Sequence, residues 1–163
     1  MSNQLIRFMM VLILGLILTI IPLPHILLSF RPPWILLLAL YVQFYFPAYF
    51  KLYGLFFFGL LLDSLLSTVM GVHGFALCLV AWLANSKVRR FSLFPMSHQM
   101  MFIGLYAMVY QLILVMIDFA LGSQGQVWMI FGGCLSSVLL WPWLRLLGDE
   151  LLLGHFSRQK RSF

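Results

Sequence analysis

One carboxylate lies deep inside an apolar stretch of this 163-residue sequence, which makes its residue the first candidate for a functional role. Asp63 follows three consecutive leucines and lies one helical turn after Gly59. A carboxylate in lipid must face the interior of a helix bundle and bind a partner, or stay protonated. Asp63 therefore either belongs to a polar cluster that fixes packing, or forms a site for helix pairing, for partner contact or for ligand binding. The sequence leaves both interpretations open.

Two further charged residues border the predicted membrane segments. Asp118 is expected near the outer end of a long apolar run, and Arg31 lies between two such runs. Arg31 is the one basic residue on the predicted outer side, so a compensating partner is expected. We predict that Arg31 pairs with Asp118 or with Asp63 at contact distance. The alternatives are that Asp118 reaches water at the membrane surface and that Arg31 is a solvated loop residue.

Catalysis is not expected from the remaining reactive residues. The sequence contains no His-Glu-x-x-His, Gly-x-Ser-x-Gly or P-loop motif. Its histidines are predicted to lie in loops or in the tail: His25, His73, His98 and His155. Cys78 and Cys134 both lie in apolar runs and are interpreted as small buried hydrophobic residues. The sequence therefore predicts no catalytic residue, no metal site and no cofactor.

The elements that position these residues are apolar helices. Hydrophobic residues make up 63% of the chain and charged residues 9%, against about 25% charged residues in soluble domains. A soluble protein of this size could not bury so much apolar surface. We predict an all-α integral membrane protein, a compact bundle in one transmembrane domain, with a basic tail at 148–163. Its six spans are expected at about 5–21, 34–50, 52–69, 72–86, 100–121 and 127–147.

The distribution of basic residues predicts the orientation of these spans. The first run, followed by Pro22 and Pro24, is interpreted as a retained span because no small-residue cleavage site follows it. With both termini in the cytoplasm, nine basic residues lie inside and only Arg31 lies outside. An odd number of spans would place the tail outside and remove this bias. The basic residues are scattered at the ends of apolar runs, so a nucleic-acid partner is not expected.

Three motifs resemble the family of the rod shape-determining protein MreD. Phe30-Arg31-Pro32-Pro33-Trp34 resembles its Phe-Arg-Pro-x-Trp signature. Gly59 and Asp63, followed by Gly71, resemble its Gly-x-x-x-Asp…Gly stretch, and Leu140-Trp141-Pro142-Trp143 resembles its last-span motif. The motifs occur in the family's order, and the resemblance covers essentially the whole chain. It carries over these residues: Arg31, Pro32, Trp34, Gly59, Asp63, Gly71, Trp141, Pro142 and Trp143.

This resemblance implies a role in bacterial cell shape. It implies a non-catalytic, multi-pass scaffold of the inner membrane that binds MreC and helps couple MreB filaments to peptidoglycan synthesis. RodA, penicillin-binding protein 2 and RodZ are implied as direct or indirect partners. Arg31, Asp63 and Gly59 are expected to shape the bundle and a partner-facing groove. Trp141, Pro142 and Trp143 are expected to bend and anchor the sixth span.

Two other functions are compatible with a small helical membrane protein. A substrate-binding subunit of a transporter would enclose a polar pocket under its outer loops, ringed by Asp63 and Arg31. A flippase for a cell-wall precursor would need a hydrophilic cavity open to one leaflet. A scaffold would instead present an apolar or small-residue groove to its partner. The shape and lining of the outer cavity therefore discriminate between these functions.

Overall fold

The computed structural model describes residues 10, 13, 15–19, 32–45, 47, 52–91, 93–122 and 128–148. Residues 15–19 are helical, and six helices follow in the described part of the chain. They are α1 (Trp34–Tyr45), α2 (Leu52–Leu66), α3 (Val72–Asn85), α4 (Val88–Phe91), α5 (Met96–Ala120) and α6 (Trp128–Gly148). The described residues contain no strand, and the all-α prediction is confirmed for them.

Helix α1 lies at the centre of the molecule. Every residue from Ile35 to Phe44 is buried, so this helix is covered on all its sides. A helix that is apolar all round is typical of a protein core or of a membrane span. Helices α3, α4, α5 and α6 all pack against it. Its one amide side chain, Gln43, donates a hydrogen bond to the carbonyl oxygen of Ala81 in α3, at 2.7 Å.

Two helical hairpins supply the most extensive contacts around this centre. Helix α2 packs against α3, and α5 packs against α6. Glycines allow both close approaches: Gly59 faces Gly74 in the first pair, and Gly133 faces the Gln111 side chain in the second. Small residues let helix backbones approach each other closely, which is how helices associate in lipid. Leu66 and Val72 are separated by only five residues, so α2 and α3 are joined by a tight turn.

Among the described residues, two helices are long and apolar enough to cross a membrane by length and composition, namely α5 and the stretch Ile130–Gly148 of α6. Three shorter apolar helices, α1 to α3, have 12, 15 and 14 residues. At 1.5 Å per residue these span roughly 18 to 22 Å, less than a hydrocarbon core of about 30 Å. The number of six spans and the cytoplasmic position of both termini therefore remain predictions.

The prediction that every histidine lies in a loop or the tail is wrong for two of them. His73 is the second residue of α3, and His98 belongs to the first turn of α5. The predicted polar connection 87–98 also contains the short helix α4. Hydropathy identifies only the apolar residues of a helix. The helix itself can extend beyond them into a polar layer, because its hydrogen bonds are made within its own backbone. His25 and His155 lie outside the described residues.

Candidate functional site

Asp63 is fully buried and accepts hydrogen bonds from the turn between α2 and α3. Its Oδ2 accepts a hydrogen bond from the backbone N–H of Gly71 at 2.8 Å. Its Oδ1 accepts from the backbone N–H of His73 at 3.1 Å, from the His73 Nδ1 at 2.7 Å and from the Thr68 hydroxyl at 3.1 Å. The first backbone N–H groups of a helix have no partner within that helix. Asp63 therefore caps α3 from the preceding helix.

The turn that Asp63 closes requires a glycine at position 71. Gly71 is the N-cap residue of α3 and has a φ of 98°, in the left-handed region. It supplies no side-chain cap, so the carboxylate of Asp63 replaces the usual serine or aspartate at this position. The backbone N–H of Thr68 also donates to the Asp63 carbonyl oxygen, at 3.1 Å. Gly71 and Asp63 thus form one structural unit, eight residues apart in the sequence.

Replacing Gly71 with alanine should destabilise the protein. A left-handed conformation costs an ordinary residue about 1–2 kcal/mol, and asparagine tolerates it better. We expect G71A to lower the midpoint of thermal unfolding in detergent, and G71N to lower it less. Space is not the cause, because a Cβ at this position meets no atom within 4 Å. Equal midpoints for the wild type and G71A would contradict this assignment.

A cavity of about 300 Å³ lies beside the Asp63 turn. It is partly open and is lined mainly by apolar side chains from α1, α2, α5 and the α2–α3 turn. Its polar lining comes from six side chains: Thr19, Thr68, His73, Tyr110, Gln111 and Asp118. His73 belongs both to this lining and to the Asp63 network. Asp63 itself does not line the cavity, because its carboxylate is bound to the turn.

A second polar cluster lies at the opposite end of the bundle, around the fully buried Gln99. Its Oε1 accepts hydrogen bonds from the Trp141 Nε1 at 3.4 Å and from the Arg145 guanidinium at 3.2 Å. Its Nε2 donates to the carbonyl oxygens of Phe91 and Phe94, at 3.3 and 3.0 Å. One amide therefore joins α5 and α6 to the end of α4 and to the residues that follow it. Burying an amide costs free energy, and these hydrogen bonds offset that cost for Gln99.

The structure divides the predicted site residues among three places. Pro32, Trp34 and Asp118 line the cavity, while Gly59, Asp63 and Gly71 form the α2–α3 hairpin and its turn. The third place is α6, which continues through Pro142, with Trp141 fully buried beside Gln99 and Trp143 exposed. The predicted pairing of Arg31 cannot be placed, because Arg31 lies outside the described residues.

Two of the residues that organise these places were not among the predicted site residues. His73 binds the Asp63 carboxylate through its backbone N–H and its ring, and Gln99 is the centre of the second cluster. The sequence did contain a signal for each of them. His73 lies two residues after Gly71, and Gln99 lies at the start of an apolar run. Both are polar groups that must find partners when helices bury them.

These features define the class of protein. The chain is a helical membrane protein whose buried carboxylate and amide groups hold its helices and turns together. It belongs to the family of the rod shape-determining protein MreD, whose family model matches residues 2–150.

A curated relative supports the same assignment. The rod shape-determining protein MreD of Haemophilus influenzae is 24% identical over 135 residues, which cover 83% of each chain. No solved structure matches this chain.

Proposed function

We propose that this protein is a non-catalytic scaffold of the cell-elongation machinery in the bacterial inner membrane. In this role it binds MreC and helps couple MreB filaments to peptidoglycan synthesis. RodA, penicillin-binding protein 2 and RodZ are further members of the assembly, in direct or indirect contact. Membership of the rod shape-determining family supports the cellular role. The binding role rests on the cavity beside the Asp63 turn.

The cavity suits an apolar segment of a partner protein. It is lined mainly by apolar side chains such as Leu62, Val69 and Leu114, and it is partly open. Binding sites of this kind gain most of their energy by burying apolar anchors, with a few polar groups fixing the orientation. Pro32 and Trp34, both from the family motif, contribute to its lining. By the predicted orientation, the cavity faces outward, where a single-span partner would continue beyond the membrane.

The cavity does not have the form expected of a transport subunit. That alternative predicts a closed polar pocket ringed by Asp63, whereas this cavity is partly open and mainly apolar. The Asp63 carboxylate accepts four hydrogen bonds from the turn and from the start of α3. The scaffold is therefore the function that the geometry supports best.

A photo-crosslinking experiment tests the proposal. A photoreactive phenylalanine analogue at Val69, which lines the cavity and is 55% exposed, should crosslink MreC in cells. The same analogue at Phe131, which is 66% exposed on α6 and does not line the cavity, is the matched control. We expect MreC in the adduct at Val69 and little at Phe131. Equal crosslinking at both positions, or no MreC adduct at Val69, would contradict binding at the cavity.

A further inference from the structure

The connection between α3 and α5 carries a compact group of exposed cations. Lys87, Arg89 and Arg90 occupy three of four consecutive positions, and all three are exposed. The part of the chain that the structure describes contains only two carboxylates, Asp63 and Asp118. Both lie at the other end of the bundle, beside the cavity. Among the described residues, no acidic side chain neutralises these cations.

The backbone that bears these cations is fixed to the core of the bundle. Phe91 follows Arg90 directly and is fully buried. Its ring stacks on Phe44 of α1 with centroids 3.7 Å apart and meets Trp141 of α6 edge-on at 5.8 Å. Gln99 binds the carbonyl oxygens of Phe91 and Phe94. The packing of Phe91 and the hydrogen bonds of Gln99 therefore hold the backbone of this connection in place.

Exposed apolar residues place the connection between α3 and α5 at the level of the lipid headgroups. Leu93 is 80% exposed, immediately beyond the cations. Trp82, near the end of α3, and Trp143, near the end of α6, are each 69% exposed at the same end of the bundle. Tryptophan side chains exposed on membrane proteins settle at the headgroup layer. Trp82 precedes Lys87 by five residues, a rise of roughly 7.5 Å if the helix continued, so the cations lie close to that layer.

From this arrangement we propose that Lys87, Arg89 and Arg90 form a binding surface for anionic phospholipid headgroups. Lys and Arg side chains can bury their aliphatic stems while their charged ends bind phosphate. Exposed Leu93 enters the lipid beside them and orients the surface toward the membrane. The position of Leu93 and of the neighbouring tryptophans at the membrane surface favours lipid over an acidic soluble protein. The leaflet concerned is the cytoplasmic one in the predicted orientation.

Lipid retention measures this preference directly. The full-length protein is reconstituted with equal amounts of phosphatidylglycerol and phosphatidylcholine, extracted in mild detergent and analysed by native mass spectrometry. We expect the wild type to retain phosphatidylglycerol in several-fold excess. A basic residue near an anionic surface contributes about a fivefold preference, so the triple variant K87Q/R89Q/R90Q should lose at least about fivefold. All three side chains are exposed, and thermal unfolding in phosphatidylcholine checks that the variant is folded.

A matched variant separates this surface from a general effect of charge. R158Q/K160Q/R161Q removes the same number of positive charges from the tail. We expect its phosphatidylglycerol excess to stay within about twofold of the wild type, well short of the loss in the first variant. Equal losses in the two variants would overturn the proposal, because net charge alone would then explain the preference. A wild type that retains both lipids equally would overturn it as well.

Discussion

Replacing Gly59 with alanine should strongly destabilise the protein, because the space beside Gly59 is filled by the backbone of α3. A Cβ at this position would overlap the Cα of Gly74 and lie 2.6 Å from its nitrogen. Overfilling a packed core usually costs about 1–3 kcal/mol. We expect G59A to reach the upper part of that range, since backbone atoms cannot rotate away as side chains can. The measurement is the midpoint of thermal unfolding in detergent.

Gly54 provides the matched control for this prediction. It lies in the same helix, five residues earlier, and a Cβ there meets no atom within 4 Å. Alanine is favoured over glycine in a helix by about 1 kcal/mol, so G54A should leave stability unchanged or raise it. If G59A and G54A unfold at the same temperature, the close approach of α2 and α3 at Gly59 is wrong.

Replacing Asp63 with alanine should have the second large effect. The change removes the acceptor for two partly buried backbone N–H groups, those of Gly71 and His73. An unsatisfied buried group costs about 1–3 kcal/mol, so for these two partly buried groups we expect a loss of about 2 kcal/mol or more. Asparagine should cost less, because it keeps one acceptor oxygen, but its amide group would face the donors of the turn. Thermal unfolding in detergent, together with rescue of rod shape in cells depleted of the native protein, measures the effect.

Asp118 is the control carboxylate for this prediction. It lies in α5 and lines the cavity, but it does not belong to the network that closes the α2–α3 turn. D118N should therefore leave the unfolding midpoint close to that of the wild type. A D63A variant that is as stable as D118N would show that the carboxylate does not hold the turn. Normal stability of D63A with loss of rod shape would instead assign Asp63 a direct role in binding a partner.

Some properties of Asp63 and of its surroundings can be predicted from the sequence. A buried carboxylate in an apolar run must be satisfied, and Gly59 one turn earlier marks a close helix approach. Both inferences follow from residue types and spacing, and the structure places Gly59 against α3. The two interpretations of Asp63 could not be separated in this way. The structure favours a packing and capping role, since four hydrogen bonds to its carboxylate come from the turn and from the start of α3 among the described residues.

The partner of Asp63 was beyond sequence reasoning for a physical reason. Charge complementarity selects Arg31, whereas two of the four donors that the structure describes at the Asp63 carboxylate are backbone N–H groups, which every residue except proline carries. Their position depends on the left-handed Gly71, which turns the chain so that the first residues of α3 face the carboxylate. Gln99 is similar, since its partners come from three separate parts of the chain: the end of α1, the segment from Phe91 to Phe94, and α6. Sequence alone does not bring such distant groups together.

The sequence by itself determined that the chain is helical and built for a membrane, because that conclusion depends only on composition and on the lengths of apolar runs. Three short motifs also carried the resemblance to the rod shape-determining family, since a motif is local in the sequence. Only the tertiary structure decided that α1 is the buried centre and that Asp63 caps α3. It alone showed a partly open apolar cavity beside that turn, and Phe91 holding the basic connection in place. These features depend on which helix faces meet, and in an almost uniformly apolar chain the hydrophobic pattern does not specify those faces.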